Sequence, residues 1–457
     1  MDGGNQGARM ARVVAACAAA VALSVRAPAA MEGSPESAIA ASGSVVGWRA
    51  VSFIAPPAAA TWSIGPAVAL RGHTLAVGPA RDWDLGQDLG GVRLYRLDRG
   101  QWLEDGALMH PSADSHANFG AALALTDMHL AIGTPRDAAG GFESGAVHIF
   151  RRHASGWVAE TTLMRPEPST SDLLGCSVAM HGDTVVVGAP KADAGALDTG
   201  CVEVFRCLDG DWLHEATLVA PDPQIGALFG LSVAIEGDTI MVGTPGDSAQ
   251  GPVAGRVHVF IRKGQGWHWD GSVGCPAGAR AWFGASVTGA GGLWIAGAPR
   301  ATRPDPVGFI RGAAWRIDRI GGRWQTTDIL LPPDPASGDA FGCSAATDGR
   351  TVVLGATADG WRGDLAGCAF VFQAGPAGWS SQRLDPPMSG ADSLVGHGVA
   401  LDGGWIALGR LGNPEETPGP GRVDLFHRAS RELDLSGPAA PKANQARART
   451  GQAIAAP

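Results

Sequence analysis

Residues 175–219 read GCSVAMHGDTVVVGAPKADAGALDTGCVEVFRCLDGDWLHEATLV, a pattern of short apolar runs separated by turns. Two apolar runs, 176–180 and 184–187, flank a tight polar turn, which predicts a β-hairpin of two strands, A and B. The alternating segment 202–205 predicts strand C, and residues 212–219 predict strand D after an Asp-Gly turn. The stretch therefore predicts four short antiparallel strands joined in sequence order.

The same pattern recurs along the whole chain in units of nearly constant length. A first glycine opens each unit, and a second glycine follows it at an unvarying distance, as Gly78 follows Gly65 and Gly188 follows Gly175. A third glycine comes later at a spacing that is longer only in the fifth unit, and a tryptophan follows it at a fixed spacing in six units. The first glycines are Gly65, Gly120, Gly175, Gly230, Gly284, Gly342 and Gly396. Seven such units predict an all-β fold, a seven-bladed β-propeller of four-stranded antiparallel blades.

The ends of the repeat predict how the ring closes. Trp48 stands as far before Gly65 as Trp379 stands before Gly396, which is the spacing between a strand-D tryptophan and the next unit. The seventh unit, by contrast, has no tryptophan after Phe426. We therefore expect residues 48–55 to complete blade seven as its outer strand, which removes the two exposed edges of an open array.

The N-terminus has the layout of an export signal. Two arginines precede the apolar run 13–25, and small residues follow at 27–30. No other stretch is apolar for long enough to span a membrane, so we expect a secreted, cell-surface or periplasmic protein. The predicted organisation is a signal peptide at 1–30, a linker at 31–46, the propeller at 47–428 and a disordered tail at 429–457.

Composition narrows the class of partner. The formal net charge is −9 and charged residues make up 17% of the chain, which disfavours a nucleic-acid partner because phosphates require clustered Lys and Arg. A hydrophobic fraction of 45%, with 67 glycines and 31 prolines, describes a packed and turn-rich chain. We expect a monomer whose partner is an extracellular protein or carbohydrate.

Recurring short motifs resemble a known family. Phe-Gly opens several units, as at 229–230, Gly-Ala-Pro ends strand B at 188–190 and 297–299, and Gly-x-Val-x-Val-Phe covers strand C at 255–260. Together they resemble the FG-GAP repeat, shared with the propeller of integrin alpha subunits, in the form of a bacterial-type secreted member. The resemblance covers about residues 48–427 and implies an extracellular propeller used in recognition or adhesion.

The calcium loop of many FG-GAP repeats, Asp-x-Asp-x-Asp-Gly between strands A and B, has no counterpart in this chain. The first and second glycines of each unit are so close together, as at Gly175 and Gly188, that the turn between the strands is too short to wrap calcium. The nearest acidic spacing is Asp82, Asp84 and Asp88, which we interpret as a solvated loop. The sequence therefore predicts no metal site and no cofactor.

Catalytic motifs are also missing from the repeat. Ser177, Ser232, Ser286 and Ser344 occupy one repeated position, which indicates a role in blade building, and His148 and His258 share a site in strand C. We predict that the protein is not an enzyme, since a nucleophile needs its own base and orienting group. Two alternatives stay open: a hydrolase or lyase with carboxylates from different blades, and a structural envelope scaffold.

One rim of the propeller is predicted to carry the function. Strand alternation places the B-to-C and D-to-A connections on the same side, here called the elaborated rim, and the short A-to-B and C-to-D turns on the opposite plain rim. The insertion of unit five, 300–311, also belongs to the elaborated rim. The predicted ligand-binding residues there are Trp83, Arg136, Lys191, Trp282, Arg303, Trp361 and Arg362, interspersed with acidic residues such as Asp137.

Six cysteines remain after signal-peptide removal. Cys176 and Cys343 follow the first glycine of units three and six, and Cys201 and Cys368 follow the third glycine of the same units. This joint occurrence predicts disulfides Cys176–Cys201 and Cys343–Cys368, provided that strand B ends below them. Cys207 and Cys275 are expected to stay reduced.

Overall fold

The computed structural model describes ten segments of the chain, in which all regular structure is β-strand. The segments are residues 47–55, 65–79, 91–112, 117–305, 308–333, 340–357, 366–376, 378–387, 394–410 and 421–429. The predicted signal peptide, the linker and residues 430–457 of the predicted tail lie outside them. Among the described residues there is no helix of the length and apolarity needed to cross a bilayer.

Twenty-eight strands in these segments form seven blades. Strand β1 is Trp48–Ile54. Blade one contains β2 (Val68–Arg71), β3 (Thr74–Val77), β4 (Val92–Asp98) and β5 (Gln101–Leu108); blade two contains β6 (Ala122–Leu125), β7 (His129–Thr134), β8 (Ala146–His153) and β9 (Gly156–Leu163). Blade three contains β10 (Ser177–His181), β11 (Thr184–Ala189), β12 (Cys201–Leu208) and β13 (Asp211–Leu218).

The remaining blades follow the same strand order. Blade four contains β14 (Ser232–Glu236), β15 (Thr239–Thr244), β16 (Arg256–Lys263) and β17 (Gly266–Gly274); blade five contains β18 (Ser286–Ala290), β19 (Leu293–Asp305), β20 (Gly308–Ile320) and β21 (Arg323–Leu330). Blade six contains β22 (Phe341–Thr347), β23 (Thr351–Ala356), β24 (Cys368–Gly375) and β25 (Gly378–Leu384). Blade seven contains β26 (Gly398–Asp402), β27 (Trp405–Arg410) and β28 (Arg422–Arg428), to which β1 is added.

The predicted closure of the ring is confirmed. Strand β1 pairs antiparallel with β28, with Trp48 opposite Arg428 and Ile54 opposite Val423, so the first strand of the chain is the outer strand of blade seven. Each innermost strand A contacts the strands A of its two neighbours, and β26 contacts β2 in the same way. The fold is therefore a closed seven-bladed propeller.

The hydrophobic core lies between the blades. The described residues contain seven buried hydrophobic clusters, and each one combines side chains from two adjacent blades. The cluster at the closure, for example, joins Trp405 and Val423 of blade seven to Leu75 and Trp102 of blade one. Because every blade buries its faces only against its neighbours, stability depends on an unbroken ring.

The repeated glycines and serines hold neighbouring blades together. A Cβ on Gly188 would lie 1.9 Å from the carbonyl oxygen of Gly230, which itself has φ +88°, so both positions require glycine. The hydroxyl of Ser177 donates to the same carbonyl at 2.7 Å. The equivalent bonds are Ser232 to Gly284 at 2.7 Å, Ser286 to Gly342 at 2.8 Å and Ser344 to Gly396 at 2.6 Å. The blade-building role predicted for these serines is thus confirmed.

The insertion of blade five differs from the expected loop. Strands β19 and β20 continue through it as a hairpin that pairs Thr302 with Arg311 and Asp305 with Gly308, after an irregularity that begins at Ala298. Because the hairpin continues the strand pairing beyond the blade, the backbone N–H and C=O groups of the inserted residues can hydrogen-bond one another. Blades five and six also share one parallel pairing, Gly312 with Phe341, and isolated bridges of the same kind occur at three other blade junctions.

Candidate functional site

The B-to-C loops of blades two, three and four have one common backbone design. In each loop the third glycine of the unit donates its N–H to a carbonyl near the start of the same loop. These bonds run from Gly145 to Asp137 at 3.0 Å, from Gly200 to Ala192 at 2.9 Å and from Gly255 to Asp247 at 2.9 Å. Each loop is therefore closed on itself before strand C begins.

The same loops are also fixed to the D-to-A connection beside them. The residue just before each third glycine accepts a backbone hydrogen bond from that connection. The bonds are Leu174 to Ser144 at 3.0 Å, Phe229 to Thr199 at 2.9 Å and Phe283 to Ala254 at 3.0 Å. The elaborated rim of blades two to four is thus a preorganised surface, which reduces the entropy lost when a partner binds.

Exposed apolar side chains stand on these fixed loops. Phe142 and Leu197 occupy the same position shortly before the third glycine of their units, and they are 68% and 57% exposed. Ile225, in the D-to-A connection after blade three, is 74% exposed. The N–H of the next residue, Gly226, donates to the carbonyl of Leu197 at 3.1 Å, so the two apolar side chains come from adjoining backbone segments.

The predicted rim residues are only partly available for binding. Arg136 is half-buried and lies 3.4 Å from Glu143, and the indole of Trp282 is covered by the guanidinium of Arg300 at 3.9 Å. The backbone N–H of Lys191 donates to the carbonyl of Asp172 at 3.3 Å. Trp83, Trp361 and Arg362 lie outside the described residues, as does the side chain of Arg303, which falls in β19.

The predicted disulfides do not form in this structure, because no disulfide joins the six cysteines of the described segments. Strand β11 separates Cys176 from Cys201: its last residue, Ala189, pairs with Cys201, while β10 pairs on its other side. Strand B thus does not end below the cysteines, and two strand spacings of about 4.8 Å exceed the reach of a disulfide. Strand β23 separates Cys343 from Cys368 in the same way.

The third residue after the third glycine occupies an interior position of strand C in every blade. It faces the neighbouring blade, yet it is ionisable in five of the seven units. The seven residues are Arg93, His148, Glu203, His258, Trp315, Phe370 and Asp424. Of these, His148, Glu203, His258 and Asp424 are 4% exposed or less. A buried ionisable group needs partners, and these differ from blade to blade.

Between blades one and two, this position belongs to a cluster of His110, Asp137 and His148. His110 follows the end of β5, Asp137 lies in the B-to-C loop after β7, and His148 is in β8. The carboxylate oxygen Oδ2 of Asp137 lies 2.9 Å from Nε2 of His110 and 3.2 Å from Nε2 of His148. The three side chains are between 5% and 7% exposed, so the cluster is almost fully buried.

Neighbouring groups fix the orientation of both imidazoles. Nδ1 of His148 lies 3.0 Å from the hydroxyl of Thr162, and Nδ1 of His110 lies 3.0 Å from the hydroxyl of Ser112. The N–H of Ser112 also donates to Nδ1 of His110 at 3.2 Å, so in this arrangement Nε2 carries the proton that is donated to Asp137. The two rings are 4.7 Å apart and nearly perpendicular.

Burial alone would raise the pKa of Asp137. Hydrogen bonds from His110 and His148, with a third from the N–H of Ala139 at 2.8 Å, outweigh burial and hold the pKa of Asp137 below its ordinary value. The carboxylate is therefore ionised at neutral pH and accepts from three donors. A buried carboxylate whose oxygen lies beside two imidazole nitrogens also provides three atoms that can bind a metal ion.

Between blades two and three, the equivalent position holds an ion-pair network instead. Glu203 is buried and accepts from Arg165 at 3.0 Å, from Thr217 at 2.6 Å and from His214 at 2.8 Å. Arg165 also bonds Asp172 at 2.5 Å, so it bridges two buried carboxylates. These charges are satisfied by one another and present no unpaired acid or base to a substrate.

Between blades three and four, His258 occupies the position. It is fully buried, and neither of its ring nitrogens has a hydrogen-bond partner in the described part of the chain. Asp247, the counterpart of Asp137, lies 3.4 Å from Arg256, and Ala220 stands where blade one has His110. The three-residue cluster of blades one and two is therefore not repeated here.

The sequence pattern does not predict the His110 cluster. It places Asp137 among the rim charges and His148 in strand C, but His110 comes from the preceding blade. An alignment of the seven units contains the signal, because ionisable residues then appear at a strand-C position that faces the neighbouring blade, where an apolar residue is expected.

Comparison with protein-family models identifies the repeat. Three segments match the FG-GAP repeat: residues 157–205, 212–260 and 324–372. Each segment begins at a strand-D tryptophan and ends at the phenylalanine of strand C in the next blade. Among curated proteins none matches this chain. The motifs and the blades agree with these matches, and the chain contains FG-GAP repeats.

Proposed function

We propose that the protein is exported and works as a non-catalytic binding module whose partner is another protein, held on the elaborated rim. The observation that carries this proposal is the set of exposed apolar side chains, Phe142, Leu197 and Ile225, on loops with a fixed backbone. Large apolar groups on a rigid frame suit a protein partner, whose binding energy is concentrated in a few buried anchors.

A carbohydrate partner is less well supported by the described residues. Sugar rings commonly stack on open aromatic faces, whereas two of the three exposed side chains, Leu197 and Ile225, are aliphatic and the ring of Trp282 is already covered by Arg300. Catalysis is also less well supported, since Glu203, Arg165 and Asp172 are engaged with one another and the repeated serines bind the next blade.

Site-specific photo-crosslinking tests the proposal. A photoreactive amino acid is placed at position 142 or 197 on the elaborated rim, and at Leu208 as the control. Leu208 ends strand C on the plain rim and is 45% exposed, close to the 57% of Leu197. Exposed to proteins of its own extracellular environment, the elaborated-rim probes should yield a discrete crosslinked polypeptide that the Leu208 probe does not yield.

The captured partner then allows a quantitative comparison. Leu197→Asp should weaken its binding by at least about tenfold, as expected for loss of a buried anchor, while Leu208→Asp should leave the Kd unchanged. Equal crosslinking from both rims would overturn the proposal. Specific binding on a glycan array without a crosslinked polypeptide would assign a carbohydrate partner instead.

A further inference from the structure

We propose that His110, Asp137 and His148 form a binding site for a divalent transition metal, with Zn²⁺ as the best-matched ion. One ring nitrogen of each histidine and one carboxylate oxygen of Asp137 lie within 4.8 Å of one another. Two imidazoles and one carboxylate are a donor set that zinc uses in proteins. Calcium is a poor match, because it takes oxygen ligands and two of these three donors are nitrogens.

The spacing of the donors is close to what a bound ion needs. Zinc bonds of about 2.0–2.1 Å in a tetrahedral site place ligand atoms roughly 3.3 Å apart. Oδ2 of Asp137 already lies 2.9 Å from His110 and 3.2 Å from His148. Both oxygen–nitrogen distances are therefore close to the ligand spacing of a zinc site, and a bound ion would draw in the two ring nitrogens, which lie within 4.8 Å of each other.

The Nε2 protons of the two imidazoles can be replaced by protons on Nδ1 when the ion binds. Metal ligation through Nε2 requires the proton of a neutral imidazole to reside on Nδ1. The hydroxyls of Ser112 and Thr162, each 3.0 Å from an Nδ1, can accept it. The N–H of Ser112 then gives up its bond to His110, and the two imidazole–carboxylate hydrogen bonds are replaced by bonds to the ion, while both rings stay neutral.

The charge of the site favours a cation. The carboxylate of Asp137 is 7% exposed, and the described ion pairs give it only the two imidazoles as partners. Ionised Asp137 would thus neutralise half the charge of a bound Zn²⁺. Three protein ligands leave a fourth position for one water molecule, and His110 follows the end of strand D on the elaborated rim.

The bound ion would bridge two blades. His110 belongs to the end of strand D of blade one, whereas Asp137 and His148 belong to blade two. Because the ion binds the folded ring and the unfolded chain offers no assembled site, it should stabilise this junction by mass action. The inference concerns a site beneath the rim loops and does not depend on the identity of the partner proposed above.

The test uses the untagged full chain after treatment with a chelator, and the probes are Zn²⁺, Co²⁺ and Ca²⁺. We expect one equivalent of Zn²⁺ in competition with a chromophoric chelator, a visible Co²⁺ spectrum that Zn²⁺ abolishes, and no competition by Ca²⁺. Zinc should also raise the Tm, which reports occupancy independently of any activity.

Variants distinguish zinc binding at this site from zinc binding at other histidines of the chain. Asp137→Asn, which keeps the shape, and His110→Ala should each weaken zinc binding by more than about tenfold. His258→Ala is the matched control, because His258 holds the same buried strand position in blade four, where Ala220 replaces the third ligand. Its zinc affinity should equal that of the parent protein.

Two outcomes would overturn the site. One is that the parent protein takes up no zinc, which would leave the cluster as hydrogen-bonded packing. The other is that zinc binds equally well to Asp137→Asn and to the parent protein. Circular dichroism checks that each variant is folded, and if Asp137→Asn does not fold, His110→Ala, changed at the edge of the cluster, carries the test alone.

Discussion

The side-chain amide of Gln382 hydrogen-bonds both backbone groups of Trp48. Its Oε1 accepts from the N–H of Trp48 at 2.8 Å, and its Nε2 donates to the carbonyl at 2.8 Å. At four other junctions in the described segments, a carboxylate of strand D accepts from the indole of the next blade, as Glu160 does from Trp212 at 3.2 Å and Glu215 from Trp267 at 3.3 Å. The strand that closes the ring thus makes a different outer contact with blade six.

Gln382→Ala should destabilise the propeller by about 1–3 kcal/mol, because two backbone groups at the closure lose their partner. Gln382→Glu should also destabilise it, although glutamate occupies this position in blades two and three, since a carboxylate cannot donate to the carbonyl of Trp48. Chemical denaturation measures both effects. Gln325→Ala, on the exposed face of strand D in blade five, is the control and should change stability by less than about 0.5 kcal/mol.

Ser232→Ala should cost about 1 kcal/mol of stability, because its hydroxyl bonds the carbonyl of Gly284 in the next blade at 2.7 Å. Adding Ser286→Ala, at the next junction, should give a nearly additive loss, since the two bonds involve different blades. Thermal melts of the single and double variants measure this. Ser155→Ala, in an exposed plain-rim turn, is the control, and a loss as large as that of Ser232→Ala would contradict a junction-specific role.

Arg165→Met should be severely destabilising, by about 3–5 kcal/mol, because it leaves Glu203 and Asp172 buried without their shared cation. Adding Glu203→Gln should restore part of the loss by removing one uncompensated charge. Urea denaturation at neutral pH measures the two changes. The exposed Arg323→Met is the control, and a similar small effect at both arginines would show that the buried network contributes little.

His258 predicts a pH dependence of stability. Burial, with a smaller contribution from Arg256, lowers the pKa of His258 to about 4 in the folded protein, against the opposing effect of Asp222. The unfolded chain takes up this proton near pH 6.5, before the folded protein does, so stability is lost as the pH falls from about 6.5 to about 4.

His258→Leu should remove this component of the pH dependence. The free energy of unfolding of the parent protein should fall, relative to that of the variant, by on the order of 3 kcal/mol across this pH range. Denaturation curves at pH 7, 5.5 and 4 measure the difference. Parallel pH profiles for the two proteins would show that His258 is not buried as a neutral ring.

The sequence was sufficient for the parts of the fold that repeat. The displaced Trp48 predicted the strand that closes blade seven, and the repeated serine, as at Ser177, predicted a role in blade building, because each feature recurs at a constant offset. The extended hairpin of β19 and β20 was not predicted, since the insertion occurs in one unit and the other units contain no equivalent residues for comparison.

The His110 cluster could not be derived from one unit alone. His148 and His258 share a strand position, yet their surroundings differ because the preceding blade contributes His110 in one case and Ala220 in the other. Only the docking of blades brings these residues together. The disulfide prediction failed for a related reason: joint occurrence of two cysteines did not reveal that Ala189 of β11 lies beside Cys201.

The closure strand also determines where the chain leaves the ring. Gly47 and Ala429 are joined by a backbone hydrogen bond of 2.9 Å, at the start of strand D and the end of strand C, so both lie on the plain rim. A tether, fusion partner or surface support joined directly at Gly47 or Ala429 therefore holds the propeller by its plain rim. Phe142, Leu197 and Ile225 then point away from the attachment, and an immobilised propeller would present its loops outward.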